Sequence, residues 1–176
     1  ESGPGFRVLE KMIPEFPQLV LERKENSQVV QDWKGNICEI GLEYTVAHLG
    51  GEGGRADFVT RRWIKCPVES AADWEQMRHR YNADEPSRLP ADPAACAAAL
   101  RDRQHPLALH FSGPYWQLRE WCGFEGLSMM FYDNPGLVHE MLDFWRDYIL
   151  RLLERLLVDE LQVGPVGLTL GAASPN

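Results

Sequence analysis

Residues 106–126, PLALHFSGPYWQLREWCGFEG, decide the predicted fold of this chain. Leu107–Phe111 is a short apolar run that predicts a strand, and the Ser112-Gly113-Pro114 turn after it predicts the start of a helix. A long amphipathic helix follows, and then a second apolar run, Val166–Leu170. Because a strand, a helix and a strand in one direction form the unit of a parallel sheet, we expect the two runs to pair side by side.

The N-terminal part of the chain predicts an antiparallel meander. QLVLERK, QVVQDW and ICEIGLE, which begin at Gln18, Gln28 and Ile37, alternate as strands do and are separated by turn residues. A further strand is predicted over 58–64. Helices are predicted over 70–81, 92–103 and 115–122, and the clearest one follows Asp133-Asn134-Pro135, where a broad apolar stripe needs other elements to cover it.

Composition restricts the classes of partner. The 176 residues carry a formal net charge of −8, so the chain lacks the basic surface that nucleic acids and anionic membranes require. No apolar run has the length of a membrane span, and no signal segment opens the chain. The four cysteines form no C-x-x-C pair, which favours reduced thiols in a cytoplasmic protein over a disulfide or a metal site.

Three short sequence motifs match patterns of binding or catalytic sites, and each also has an interpretation without a functional role. Residues 51–56 fit the dinucleotide pattern G-x-G-x-x-G/A, but strand rather than helix is predicted to follow, so we favour a loop. His139, Glu140 and Asp143 resemble HExxH, with Asp143 in place of the second histidine, and we favour surface residues. Arg61-Arg62 could meet a substrate carboxylate, although a solvated strand edge is the more usual role.

The candidate site lies where the 107–111 strand ends. Tyr115, Trp116 and Trp121 would form a flat apolar wall, and Arg119 could bind a carboxylate. Ser112 would help to orient a substrate. His110 is the candidate catalytic residue, as a proton donor beside the turn. Helix-to-sheet packing of the aromatic residues and a hydrogen-bonded, half-buried His110 are the alternatives.

The block FSGPYWQLREWCGFEG, over 111–126, with the following LSMMFYDNPGLVHEMLDFWRDYILRLLERLL, resembles the uroporphyrinogen decarboxylase superfamily. It is most similar to a decarboxylase-like branch found in bacteria. The segment WIKCPVESAADW, at 63–74, also resembles the lead-in that this branch carries. The similarity runs from about Gln18 to Val166. The decarboxylase phrase G-F-x-G-x-P-W-T-L is matched at Phe111, Gly113, Trp116 and Leu118.

The resemblance implies a (β/α)8 barrel with its site at the C-terminal ends of the strands. It also implies either cofactor-free decarboxylation of a tetrapyrrole-like carboxylate or corrinoid-linked methyl transfer. Zinc or cobalamin would serve a full-length methyltransferase relative, and no cofactor is expected in this chain. Trp121 stands where the decarboxylases have a tyrosine, and the His-x-Cys set of the methyltransferases does not occur here.

Together these observations predict an α/β fold: a β-rich segment over 1–64, then part of a TIM-type (β/α)8 barrel over 65–176 in the same domain. Two parallel strands alone leave unpaired edges, so further strands must come from the meander, from a partner chain such as a homodimer, or from a natural chain that continues beyond Asn176, and we favour the last. The expected partner is a small-molecule substrate. A binding module without catalysis, and a truncated or frame-shifted product, remain alternatives to an enzyme.

Overall fold

The computed structural model describes residues 8–51, 59–101, 108–157 and 167–171. Four antiparallel strands come first, helices follow, and two parallel strands flank the last three of the helices. The strands are β1 (Leu19–Arg23), β2 (Ser27–Gln31), β3 (Ile37–Gly41), β4 (Arg61–Lys65), β5 (Ala108–Ser112) and β6 (Gly167–Gly171). The helices are α1 (Ala71–Arg78), α2 (Pro93–Arg101), α3 (Pro114–Cys122), α4 (Phe124–Asp133) and α5 (Pro135–Glu154).

The first three strands form the predicted meander, and β4, predicted over 58–64, joins their sheet in the order β1-β2-β3-β4. Asp32 closes the β2–β3 turn, because its Oδ1 accepts hydrogen bonds from the backbone N–H groups of Lys34 (2.9 Å) and Asn36 (2.8 Å). Val30 and Ile40 are buried on this sheet and form a small apolar cluster with Leu49 and Val59. β4 therefore lies at one edge of a sheet that has its own core.

Helix starts follow the capping residues read from the sequence. Ser70 Oγ accepts from Asp73 N at the start of α1, Asp92 Oδ1 from Ala95 N in α2, and Asn134 Oδ1 from Leu137 N in α5. The apolar stripe of α5 is buried as predicted. Among the helices in the described ranges, none is long and apolar enough to cross a membrane.

Helix α4 has no counterpart among the predicted helices. Gly123 separates it from α3, because its φ of 73° turns the chain in the left-handed region that glycine adopts without strain. A Cβ on Gly123 would lie 2.6 Å from Cys66 Sγ, so a side chain is also excluded there by contact.

An aromatic cluster joins α1, α3 and α5. Trp121 is 1% exposed, and its ring centroid lies 4.9 Å from that of Trp74 and 5.7 Å from that of Trp145. The indole N–H of Trp121 donates to the Tyr81 hydroxyl at 2.9 Å, and that of Trp145 donates to the Ser112 carbonyl at 2.9 Å. Large rings are thus buried without leaving a donor unpaired.

The N-terminal residues 8–16 pack on the helical part of the molecule through Arg88. This guanidinium is fully buried (0% exposed) and donates to the carbonyls of Leu9 (2.9 Å), Lys11 (2.6 Å), Arg80 (3.1 Å) and Asn82 (2.6 Å). Its charge is satisfied by main-chain dipoles.

The predicted partial (β/α)8 barrel is wrong. β5 and β6 do pair in parallel, with Leu109 opposite Leu168, which confirms the strand direction expected from the sequence. They form a separate two-stranded sheet, however, whereas the four N-terminal strands make an antiparallel sheet. Three consecutive helices, α3 to α5, lie between β5 and β6. A barrel needs a closed ring of eight tilted strands, and the described residues provide two parallel ones.

We predict that Arg88→Met lowers the free energy of unfolding by about 3 kcal/mol, because four main-chain carbonyls lose a charged donor. Urea unfolding followed by circular dichroism would measure the loss. Arg146→Met is the matched control, since Arg146 is exposed on α5 and pairs with Asp143 and Asp147. Equal stability of the two variants would contradict the structural role of Arg88.

Candidate functional site

A cavity of about 840 Å3 lies between β4 and the helices α3 and α4. Its volume falls within the range of small-molecule sites, about 300–1,000 Å3. One wall is the whole of β4 with Cys66, and the other is the end of α3 and most of α4. The backbone N–H of Val68 donates to the Trp121 carbonyl at 3.1 Å, which fixes the segment after β4 against α3.

Apolar side chains make up much of the cavity lining. Trp63 on β4 is 53% exposed, and Phe124 and Met129 on α4 are 64% and 60% exposed. Met130 and Leu137 lie behind them and are buried. Large exposed apolar groups gathered in one concavity are a common property of ligand sites.

Charged side chains frame this apolar surface, and several have partners. Arg61 pairs with the buried Asp32 (3.8 Å), Arg62 pairs with Glu39, and Glu120 pairs with Lys34. Burial raises the pKa of Asp32, although the hydrogen bonds from Asn36 partly oppose that rise. Lys65 and Arg119 also line the cavity, and neither has an ion-pair partner among the residues that the structure describes.

The cavity thiols are poorly suited to covalent chemistry. Burial raises the pKa of Cys122 to about 12, and it also raises the pKa of Cys66. A thiol must ionise to act as a nucleophile, so both groups stay protonated near neutral pH. The wall of the cavity therefore contains two protonated thiols.

The structure separates the predicted aromatic wall into two faces of α3. Trp121 points into the aromatic cluster, whereas Trp116 is half-buried and Tyr115 is exposed. At about 100° per residue, Trp116 and Arg119 lie roughly opposite Trp121 around the helix. Arg119 stacks on Trp116, with its Cζ 4.0 Å from the ring centroid. Of these four residues, Arg119 reaches the cavity.

His110 and Ser112 occupy different environments on β5. His110 is exposed, whereas Ser112 is buried beneath the N-terminal residues. The carboxylate of Glu10 accepts hydrogen bonds from the Ser112 backbone N–H and Oγ, both at 2.9 Å. The Tyr148 hydroxyl donates to the Glu10 carbonyl at 2.9 Å. Glu10 was not a sequence candidate, because no local pattern ties it to a strand a hundred residues later.

The remaining motifs lie on the surface or outside the described residues. His139, Glu140 and Asp143 are exposed on α5, and Glu140 accepts from the Trp74 indole at 2.9 Å. Of the glycine-rich pattern, only Gly51 lies within the described residues. Across the ranges that the structure covers, no group of three or more His, Cys, Asp or Glu residues is arranged to hold a metal ion.

Sequence reasoning missed the main lining residues, Lys65, Phe124 and Met129. A signal was present in FEGLSMMFYD, over 124–133, which has apolar residues on more sides than a surface helix needs. Comparison of the chain with protein-family models, with curated proteins and with solved structures found no match. The resemblance to the decarboxylase superfamily therefore stays a prediction.

We predict that Glu10→Gln gains stability relative to the unmodified chain as pH rises from 4.5 towards 7. Burial raises the pKa of Glu10 above its ordinary 4.5, despite the hydrogen bonds from Ser112. The folded chain thus binds this proton more tightly than the unfolded chain. The resulting stability is complete below the unfolded pKa and is lost as pH rises through the folded value.

Urea unfolding at a series of pH values measures this difference. The neighbouring Tyr81 and Tyr148 stay protonated through that range, since burial raises the pKa of both, and Arg88 stays charged. Glu125→Gln is the control, because Glu125 is exposed on α4. A Glu10→Gln difference that does not change with pH would rule out a raised pKa at Glu10.

Proposed function

We propose that this protein binds an amphipathic small molecule in the cavity between β4 and α4. The observation that carries the proposal is the apolar lining: Trp63, Phe124 and Met129 expose large side chains to one concavity of about 840 Å3. Exposed apolar area of this kind favours a ligand because its burial removes the area from water.

The charged rim supports a ligand that also has a polar group. Ligand-binding cavities in proteins usually contain a small number of polar groups that orient the ligand. In this cavity, Arg119 and Lys65 offer hydrogen-bond donors at one end. The protonated thiols give no nucleophile, so binding rather than covalent catalysis is the better-supported activity of this cavity. The expected partner is accordingly a small molecule, and four free cysteines fit a cytoplasmic location.

We expect the neutral, environment-sensitive dye Nile red to bind saturably with blue-shifted emission. Phe124→Ser is expected to weaken binding by about tenfold, because an apolar contact is lost at the cavity wall. Fluorescence titration of the full chain gives the dissociation constants.

Phe131→Ser is the matched control for this titration. It lies on the same helix and is 46% exposed, but it does not line the cavity. Gly126→Leu tests the same site by adding an apolar side chain instead of removing one. Gly126 lines the cavity, and a Cβ there meets no atom within 4 Å. Loss of binding in Phe131→Ser equal to that in Phe124→Ser would exclude the cavity as the site.

A second candidate is an enzyme related to the decarboxylase superfamily, and the β5–β6 pair favours it. Parallel strands commonly present functional groups at their carboxyl ends. His110 and Ser112 lie on the same side of β5, and Glu10, with its raised pKa, contacts Ser112. In this proposal His110 would move a proton, and the substrate would be a tetrapyrrole-like carboxylate.

Titration with uroporphyrin, measured by its absorbance, tests this second candidate. His110→Gln is expected to weaken binding by about tenfold if His110 contacts the porphyrin carboxylates. His139→Gln is the control, because His139 is exposed on α5 and far along the chain from β5. Identical titrations of the two variants would remove the role assigned to His110.

A further inference from the structure

We infer that the cavity selects ligands that carry a carboxylate, with Arg119 and Lys65 as its two anchors. This inference rests on the proposed binding of an amphipathic molecule and names the chemical class of that molecule. It comes from the stacking, pairing and position of the charged groups that line the cavity.

Arg119 is oriented before any ligand arrives. Its guanidinium stacks on the half-buried Trp116 ring, with Cζ 4.0 Å from the ring centroid. Stacking covers a flat face of the guanidinium and leaves its N–H edges available. Within the described residues these donors have no acceptor. A planar fork of free donors matches the two oxygens of a carboxylate, and its fixed orientation reduces the entropy lost on binding.

Lys65 supplies a second cation from the opposite wall. It is the last residue of β4, its side chain is exposed, and it has no ion-pair partner in the part of the chain that the structure describes. The carboxylate of Asp73 already accepts a hydrogen bond from Ser70 Oγ at 2.7 Å. That bond is the main cause of the lowered pKa of Asp73, and the charge of Lys65 is a smaller one. Lys65 adjoins Cys66, whose Sγ lies so near Gly123, at the end of α3, that a Cβ on this glycine would be 2.6 Å from it. Both anchors therefore lie near the α3–α4 junction.

Two of the acids that line the cavity near this junction have other partners. Glu120 pairs with Lys34, and Glu69 Oε1 accepts from the Cys66 backbone N–H at 3.3 Å. Glu125 lies in the first turn of α4, where the positive end of the helix dipole stabilises an anion.

Asp133 and Glu125 have no hydrogen-bond or ion-pair partner among the described residues, and the position of Asp133 orients the ligand. Asp133 ends α4, about 13 Å along the helix from Phe124 at the junction. A carboxylate ligand would therefore place its charge at Arg119 and Lys65. Its apolar body would extend along Phe124 and Met129, towards Asp133. A long aliphatic or aryl carboxylate fits this arrangement.

Three straight-chain probes separate the parts of this inference. Dodecanoate, dodecanol and dodecylammonium share one apolar tail and differ in head-group charge. Isothermal titration of the full chain, below the concentrations at which the probes form micelles, gives an affinity for each. We expect dodecanoate to bind about tenfold more tightly than dodecanol, and dodecylammonium to bind most weakly.

Variants then assign the head-group contact. Arg119→Met and Lys65→Met are each expected to lower dodecanoate affinity by about tenfold while dodecanol affinity stays the same. Arg119→Lys keeps the charge but loses the planar fork, so it should recover only part of the preference. Arg146→Met removes an exposed cation that does not line the cavity, and it should leave all three affinities unchanged. Circular dichroism establishes that each variant is folded.

The outcomes distinguish this inference from the function on which it rests. If dodecanol and dodecanoate bind equally, the cavity binds an apolar tail and the carboxylate anchor is overturned. Tightest binding of dodecylammonium overturns it too, because the acids would then dominate. If neither the probes nor Nile red bind, the proposed function itself fails. Loss of dodecanoate preference in folded Arg119→Met alone, with Lys65→Met unchanged, would overturn the two-anchor form.

Discussion

The hydrogen-bonded burial of Trp121 is the constraint on which the helical part of the molecule depends. An indole ring removes a large apolar area from water, but its N–H must find an acceptor when it is buried. The Tyr81 hydroxyl provides that acceptor, and Trp74 and Trp145 close around the same ring. Because these partners come from α1, the segment after it and α5, one side chain fixes how three parts of the chain meet.

The same constraint sets the properties of the cavity. With Trp121 turned inwards, α3 can present only its opposite face to the surroundings, and that face carries Trp116 and Arg119. Gly123 then bends the chain at the point where Cys66 approaches it, so α4 starts beside the end of β4. A packing requirement in the core thus leads to a charged group at the junction and an apolar helix face beside it.

The sequence predicted what depends on neighbours along the chain. Alternation and turns such as Lys34-Gly35-Asn36 define the meander, and Ser70, Asp92 and Asn134 mark the helix starts. The parallel direction of β5 and β6 also followed from their order. Other features needed contacts between distant residues. Trp116 and Trp121 look equivalent in sequence, and only the packing around Tyr81 distinguishes them. The barrel failed because a strand-helix-strand unit does not specify what pairs with its edges.

The way in which Arg88 is held has an evolutionary consequence. All of its hydrogen-bond acceptors in the described residues are main-chain carbonyls, which every amino acid possesses. Substitution at positions 9, 11, 80 or 82 would keep the acceptor as long as the backbone path is kept. Natural selection would then hold the arginine constant while its contacts drift independently. Correlated substitutions between two positions usually indicate that the residues are in contact. Here they would not reveal the contact between Arg88 and the N-terminal residues.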